Sequence, residues 1–154
     1  MRPSRNAWAI QLAFSTSHRS TCYRRHVGCI ILNARGHVLA TGYNGNAAGM
    51  PHCNESVEHR CIGADAPSGT NLDSCEAIHA EQNALLQCRD VTEIHAVYCT
   101  TAPCMTCTKL LLNTSCKEIY YGDEYPTSGE HLWRRAGRLW IPFGYTEDGY
   151  ARAQ

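Results

Sequence analysis

Two short motifs constrain this chain more than anything else in it: His79-Ala80-Glu81 and Pro103-Cys104-Met105-Thr106-Cys107, each opening a helical pattern, with a strand pattern between them. Cysteines three apart share one face of a helix, so Cys104 and Cys107 can reach a single ion. At a helix N-terminus the free N–H groups and the dipole favour thiolate over thiol. Pro103 suits a first helical turn, where its missing N–H is unneeded. His79 adds a third donor. Two thiolates and a neutral imidazole balance Zn²⁺ and leave a fourth position open, the pattern of a catalytic site; a closed four-ligand shell is the structural pattern. A CxxC pair alone is equally half of a structural zinc site or a redox couple, and HxE alone occurs by chance. In this order, at two strand-to-helix junctions, they point to a catalytic zinc.

Such an ion lowers the pKa of its bound water to about 7. Hydrolytic displacement of an amine needs that nucleophile, and it needs a group that carries protons to the departing nitrogen. Glu81, two residues from a ligand, is the expected shuttle. A first-turn carboxylate can also act only on the helix dipole, but its place beside His79 favours catalysis.

Lysines and arginines number 14 and so do aspartates and glutamates, for a formal net charge of +0. A chain gripping a nucleic-acid backbone usually shows a basic excess. Here Arg24-Arg25 is a cluster fit for one phosphate, and Arg134-Arg135 with Arg138 is the other. Balance favours a small substrate and no nucleic acid. The apolar runs are too short for a membrane span, and no apolar stretch of a secretory signal follows the N-terminus. The expected location is therefore the cytoplasm, where disulfides are rare and ten cysteines suggest metal or catalysis. Cys29, Cys88, Cys99 and Cys116 fall in apolar patterns and read as core.

Residues 4–17 carry Trp8, Ala9, Leu12 and Ala13 at helical spacing, with Ser4 as N-cap. Runs 27–32 and 37–43 flank Asn33-Ala-Arg-Gly36 and read as a hairpin. Residues 44–77 show no period, and a stretch that long needs something to organise it. A helix over 78–89, a strand over 96–100, a helix over 104–113 and a strand over 117–121 predict a βαβ unit with parallel pairing. One more helix and a strand near 139–141 complete a single domain spanning 1–154.

With these motifs placed, the chain resembles the deoxycytidylate (dCMP) deaminase family of the cytidine-deaminase-like fold, over roughly residues 7–126. The zinc motifs have the form seen in zinc nucleobase deaminases. Cys22-Tyr-Arg-Arg-His-Val-Gly28, Gly42-Tyr-Asn-Gly45, His79-Ala-Glu-Gln-Asn-Ala84 and Ile119-Tyr-Tyr-Gly-Asp-Glu-Tyr125 carry the rest of the likeness. The resemblance implies an α/β fold, a three-layer α/β/α sandwich around a five-stranded mixed sheet, assembled as a homohexamer. It implies hydrolysis of dCMP to dUMP for thymidylate synthesis, with dCTP activating and dTTP inhibiting. Asn44 is then expected at the sugar, with Thr101 also at the substrate and Arg24 and Tyr125 at the 5′-phosphate. Tyr43, Gly45 and Asn46 are expected at the effector, whose triphosphate Mg²⁺ would accompany. His26 and the Trp133–Trp140 tail depart from the family pattern.

Related deaminases often carry a second, structural zinc, and a Cys₄ shell is a common one. Cys22, Cys53, Cys61 and Cys75 are the expected ligands and would organise residues 44–77. The alternatives are a deaminase of cytidine, deoxycytidine or another free nucleotide, or a binding module whose zinc is purely structural. Neutral charge and the position of Glu81 argue against the module.

Overall fold

Ser4 begins the first helix: its Oγ accepts from the Ala7 N–H at 3.1 Å, and α1 runs Arg5–Ser17. The computed structural model describes residues 1–61, 63–145 and 151–153. Next comes the hairpin of β1 (Gly28–Asn33) and β2 (Val38–Tyr43), paired antiparallel. Gly36 takes φ +85° in the connecting turn, a conformation that favours glycine. The Asn33 carboxamide closes that turn by accepting from the N–H groups of Arg35 and His37.

The rest of the chain winds as α2 (Ala80–Gln87), β3 (Ile94–Thr101), α3 (Met105–Leu112), β4 (Glu118–Asp123), α4 (Glu130–Arg135), β5 (Leu139–Tyr145) and β6 (Ala151–Ala153). The sheet order is β2-β1-β3-β4-β5-β6. β3 and β4 pair parallel across α3, and β4 and β5 parallel across α4, so the expected βαβ unit occurs twice in succession. The five-stranded mixed sheet is as expected. The three-residue β6 extends it by pairing antiparallel with β5.

Side chains alternate across the sheet with the period of two that a strand imposes. Ile30, Leu32, Ala96, Tyr98 and Tyr120 face α1. Cys29, Ile31, Val97, Cys99, Ile119 and Tyr121 face the layer containing α2, α3 and α4. That makes three layers, and it explains the unbroken apolar run of β1, which is buried on both faces. Cys29, Cys99 and Cys116 are wholly buried in this core, while Cys88 is half-buried at the end of α2.

The tail belongs to the same core. Trp133 and Trp140 are among the largest fully buried side chains, and Trp133 Nε1 donates to the Leu139 carbonyl at 2.8 Å. Arg138 donates to the carbonyls of Leu112 at 3.0 Å and Cys116 at 2.7 Å, satisfying the open C-terminal end of α3. Arg134 donates to Glu130 and to the Trp140 carbonyl. The second basic cluster is thus partly engaged in holding the tail.

Candidate active site

The two motifs sit at helix starts, each beginning on the cap and running into the first turn. His79 is the N-cap of α2 and Cys104 the N-cap of α3. Pro103 therefore precedes the helix it was expected to open. The physical reason at α3 is that the Cys104 side chain serves as the cap acceptor itself: its Sγ accepts from the Cys107 N–H at 3.5 Å. The His79 N–H is in turn satisfied by Gln82 Oε1 at 2.9 Å.

β3 ends where α3 begins, beside the N-terminus of α2, and this brings the donors together. His79 Nδ1 lies 3.5 Å from Cys104 Sγ and 3.4 Å from Cys107 Sγ. An ion with tetrahedral angles, Zn–S near 2.3 Å and Zn–N near 2.0–2.1 Å, sets its S···N edge at about 3.5 Å. The donor set and its spacing therefore fit zinc. The Cys107 hydrogen bond, with His79 and the Cys107 N–H assisting against burial, holds the Cys104 thiol down at about 4. Cys107 is pushed the other way by the proton it shares with Cys104 and by burial.

Glu81 projects from the first turn of α2 and is 4% exposed. Burial pushes its carboxyl above the usual range, opposed by its own backbone N–H and by His79. A buried carboxyl raised in this way can both take and give a proton. Glu81 lines a cleft together with His79, Ala80, Ala102 and Cys104.

The expected substrate residues Thr101, Asn44, Arg24 and Tyr125 all line this cleft. Thr101 ends β3 and is buried. Asn44 braces the neighbouring segment: its Oδ1 accepts from Val27 N–H at 2.8 Å and Ser20 Oγ at 2.6 Å, and its Nδ2 donates to Arg25 O at 2.8 Å. An amide nitrogen carries two donors, so this bond uses one of them. Arg24 Nη1 donates to the carbonyls of Thr70 at 2.7 Å and Pro67 at 3.0 Å. Arg25 lies over the Tyr125 ring at 5.6 Å, and its Nη1 is buried without a partner. Sequence reasoning named Arg24 for the phosphate; both arginines line the cleft, and composition cannot say which of two adjacent side chains is already engaged. Ser68 and Gly69 on the cleft wall were missed, because a period-free loop gives no sign of which way it folds.

Tyr43, Gly45 and Asn46 line a different concavity, together with Asn83 and Gln87 of α2. Asn83 Nδ2 donates to the Tyr43 carbonyl at 2.8 Å, and Asn46 Oδ1 is buried without a partner. Residues 44–77 are pinned at their ends by a bridge in which Gly45 and Ile78 exchange backbone hydrogen bonds of 3.1 and 2.8 Å. Within them Cys53 and Cys61 pack with Ala64 against Cys75. Burial pushes the Cys75 thiol up, with Cys61 and Cys22 close enough to add to the effect. Among the described residues, the donors drawn within 4.8 Å of one another are those of His79, Cys104 and Cys107; the four loop-region cysteines do not close to that degree. No helix among the described residues is long and apolar enough to cross a membrane.

The family model described as the cytidine and deoxycytidylate deaminase zinc-binding region matches residues 3–123. The deoxycytidylate deaminase of Schizosaccharomyces pombe is 39% identical over 126 residues, 80% of this chain and 38% of that protein. That of Mycobacterium phage D29 is 35% identical over 129 residues, 80% of this chain and 98% of that protein. The crystal structure of dCMP deaminase from the cyanophage S-TIM5, in complex with dCMP and dUMP, matches with a TM-score of 0.72 at 27% identity, covering 92% of this chain and 98% of that one. The chain thus spans less than half the length of the fission yeast protein and nearly all of the two phage proteins.

Proposed function

The chain belongs to the cytidine and deoxycytidylate deaminase zinc-binding family, and from that premise we propose that it hydrolyses dCMP to dUMP and ammonia. The observation that carries the reading is the buried Glu81 carboxyl in one cleft with His79 and Cys104, whose donor atoms cluster with that of Cys107. His79 Nδ1 and the two Sγ atoms would hold zinc, which when bound supplies the acidity that makes water a nucleophile near neutral pH. Glu81 takes a proton from the attacking water and delivers it to N3 of the cytosine ring. A second proton then passes through its carboxylate to the departing amine. Thr101 and Asn44 flank the nucleoside.

The 5′-phosphate goes to Arg25, whose free buried Nη1 makes a charge-assisted hydrogen bond of the strong kind. Tyr125, beneath that guanidinium, keeps it in place. Turnover of cytosine, deoxycytidine, dCMP, CMP and dCTP under zinc-replete conditions tests the reading. dCMP should give the highest kcat/KM, and equal rates on dCMP and deoxycytidine would overturn the substrate assignment.

Two further parts of the reading rest on their own observations. A structural zinc at Cys22, Cys53, Cys61 and Cys75 is supported by the packing of three of these cysteines in a loop with little other core. Control by dCTP and dTTP with Mg²⁺ is supported by the concavity of Tyr43, Gly45 and Asn46, which α2 joins to the cleft. The reading includes a homohexamer, which sedimentation would measure.

A further inference from the structure

The loop that walls the cleft has few bonds of its own. Between the 3₁₀ turns Val57–His59 and Leu72–Ser74 the backbone bonds are local, such as Ala66 N–H to Gly63 O and Thr70 N–H to Pro67 O. Ser68 and Gly69 of this stretch nevertheless line the cleft that holds Glu81 and Thr101. Arg24 reaches across from the segment before β1. Its Nη1 donates to Thr70 O at 2.7 Å and Pro67 O at 3.0 Å, with Ala66 O at 3.5 Å. These carbonyls lie on either side of Ser68 and Gly69. A guanidinium nitrogen has two hydrogens, so Nη1 is fully engaged.

We propose that Arg24 is a positioning residue that clasps residues 66–70 as a wall of the substrate cleft, leaving anion recognition to Arg25. The proposal rests on the dCMP reading above and deepens it by dividing the arginine pair. Carbonyl oxygens gathered around Arg24 Nη1 present negative charge on that side, which disfavours an approaching phosphate. Arg25 Nη1, buried and without a partner, has no such screen. Gly69 sits at φ +82° with the Tyr125 ring beside it, so the clasped loop also meets the aromatic that lies under Arg25. Without the clasp, the wall loses a long-range tie and the cleft its shape for any substrate, charged or not.

The two roles separate in kinetics. A wall serves nucleoside and nucleotide alike, whereas a phosphate contact serves the nucleotide alone. The experiment measures kcat and KM for dCMP and deoxycytidine in the parent, Arg24→Ala, Arg24→Lys and Arg25→Ala, with hydrogen exchange over residues 63–72. Arg24→Ala should raise KM on both substrates by about tenfold, as loss of one to two charged hydrogen bonds would, with kcat affected less. Exchange over 66–70 should quicken. Arg24→Lys should recover part of both effects, because an ammonium can donate to the same carbonyls. Arg25→Ala should reduce kcat/KM on dCMP alone and leave loop exchange unchanged. Loss confined to dCMP in Arg24→Ala, or unchanged loop exchange, would overturn the clasp. If the parent turns over neither substrate, the function fails, and the exchange comparison alone decides the clasp.

Discussion

His79 Nδ1 stands 3.4 Å from Cys107 Sγ, although one caps α2 and the other lies in the first turn of α3. β3 separates the two helices in sequence, and its C-terminal end delivers Cys104 and Cys107 to the start of α2. The contact has the length of one edge of a tetrahedral metal site, so the fold itself prepares the ligand geometry.

Counting metal tests both zinc assignments at once. The purified parent should hold two equivalents of zinc by emission spectrometry. His79→Ala or Cys104→Ala should remove one equivalent together with activity, because a catalytic site has three protein ligands to lose. Cys61→Ser should remove the other equivalent and lower the melting temperature while leaving the first in place. A parent with a single equivalent, unaffected by Cys61→Ser, would refute the second site.

Glu81→Gln keeps the size of the side chain and removes its proton chemistry. Zinc content and the unfolding midpoint should stay close to the parent. Turnover should fall by about 10²–10⁴-fold, the usual worth of a positioned acid–base group. A variant within about tenfold of the parent would deny Glu81 the shuttle.

What the sequence disclosed and what it withheld divide along a physical line. The clustering of His79, Cys104 and Cys107 was legible because metal chemistry fixes both residue type and spacing, and Glu81 follows His79 into the same cleft. The strands of the core were legible because β1 is apolar from Gly28 to Leu32 and β3 is buried through Ala96, Val97, Tyr98 and Cys99. Arg24 and Arg25 could not be told apart, since what separates them is three carbonyls more than forty residues away. Trp133 and Trp140 looked like an unmatched tail because their burial depends on the pairing of β5 with β4. Local pattern encodes elements and ligands; the partners of loop side chains emerge only with the tertiary fold.

Gly42 lies where β2 meets α2. A Cβ there would collide with the backbone at Ala80 O and Ala84 N, so α2 would have to move. Gly42→Val should therefore destabilise the chain by about 1–3 kcal/mol or more, the range of overpacked cores. It should also weaken zinc retention, because His79 caps the displaced helix. Both are read by urea unfolding and by competition with a chelator. Unchanged stability would show that α2 does not need this close approach.

Alkaline stability has a sign that Tyr121 sets. Burial, and then the bond from its hydroxyl to Glu124 Oε1 at 2.8 Å, push its ionisation up to about 12. An unfolded tyrosine ionises near about 10. The unfolded chain therefore releases this proton first, and stability falls as pH rises from the unfolded value through the folded one. The contribution is complete below the unfolded value. Urea midpoints at pH 9 and pH 11.5 should drop further for the parent than for Tyr121→Phe, which lacks the group. Parallel losses would mean that this hydroxyl does not drive the transition.

Control by nucleotide triphosphates is the reading that depends most on distance. The helix α2 carries Glu81 into the cleft at one end, while Asn83 and Gln87 face the second concavity. Asn83 Nδ2 also holds the Tyr43 carbonyl at 2.8 Å, so a ligand that shifts Tyr43 pulls on the helix that carries Glu81. Asn46 Oδ1, buried without a partner, offers an acceptor to a nucleobase N–H. An effector acts only through differential affinity for two states. Rate against dCMP should then be sigmoidal alone, closer to hyperbolic with dCTP–Mg²⁺, and shifted to higher dCMP with dTTP–Mg²⁺. Gly45→Val should blunt these responses, since a side chain there would press on Thr21 Oγ1 at 3.1 Å along the rim of the concavity. Maximal turnover should be largely retained, because the cleft and its ligands lie on the other side of α2. Three superimposable curves in the parent would leave the concavity without an effector role, however well the cleft performs.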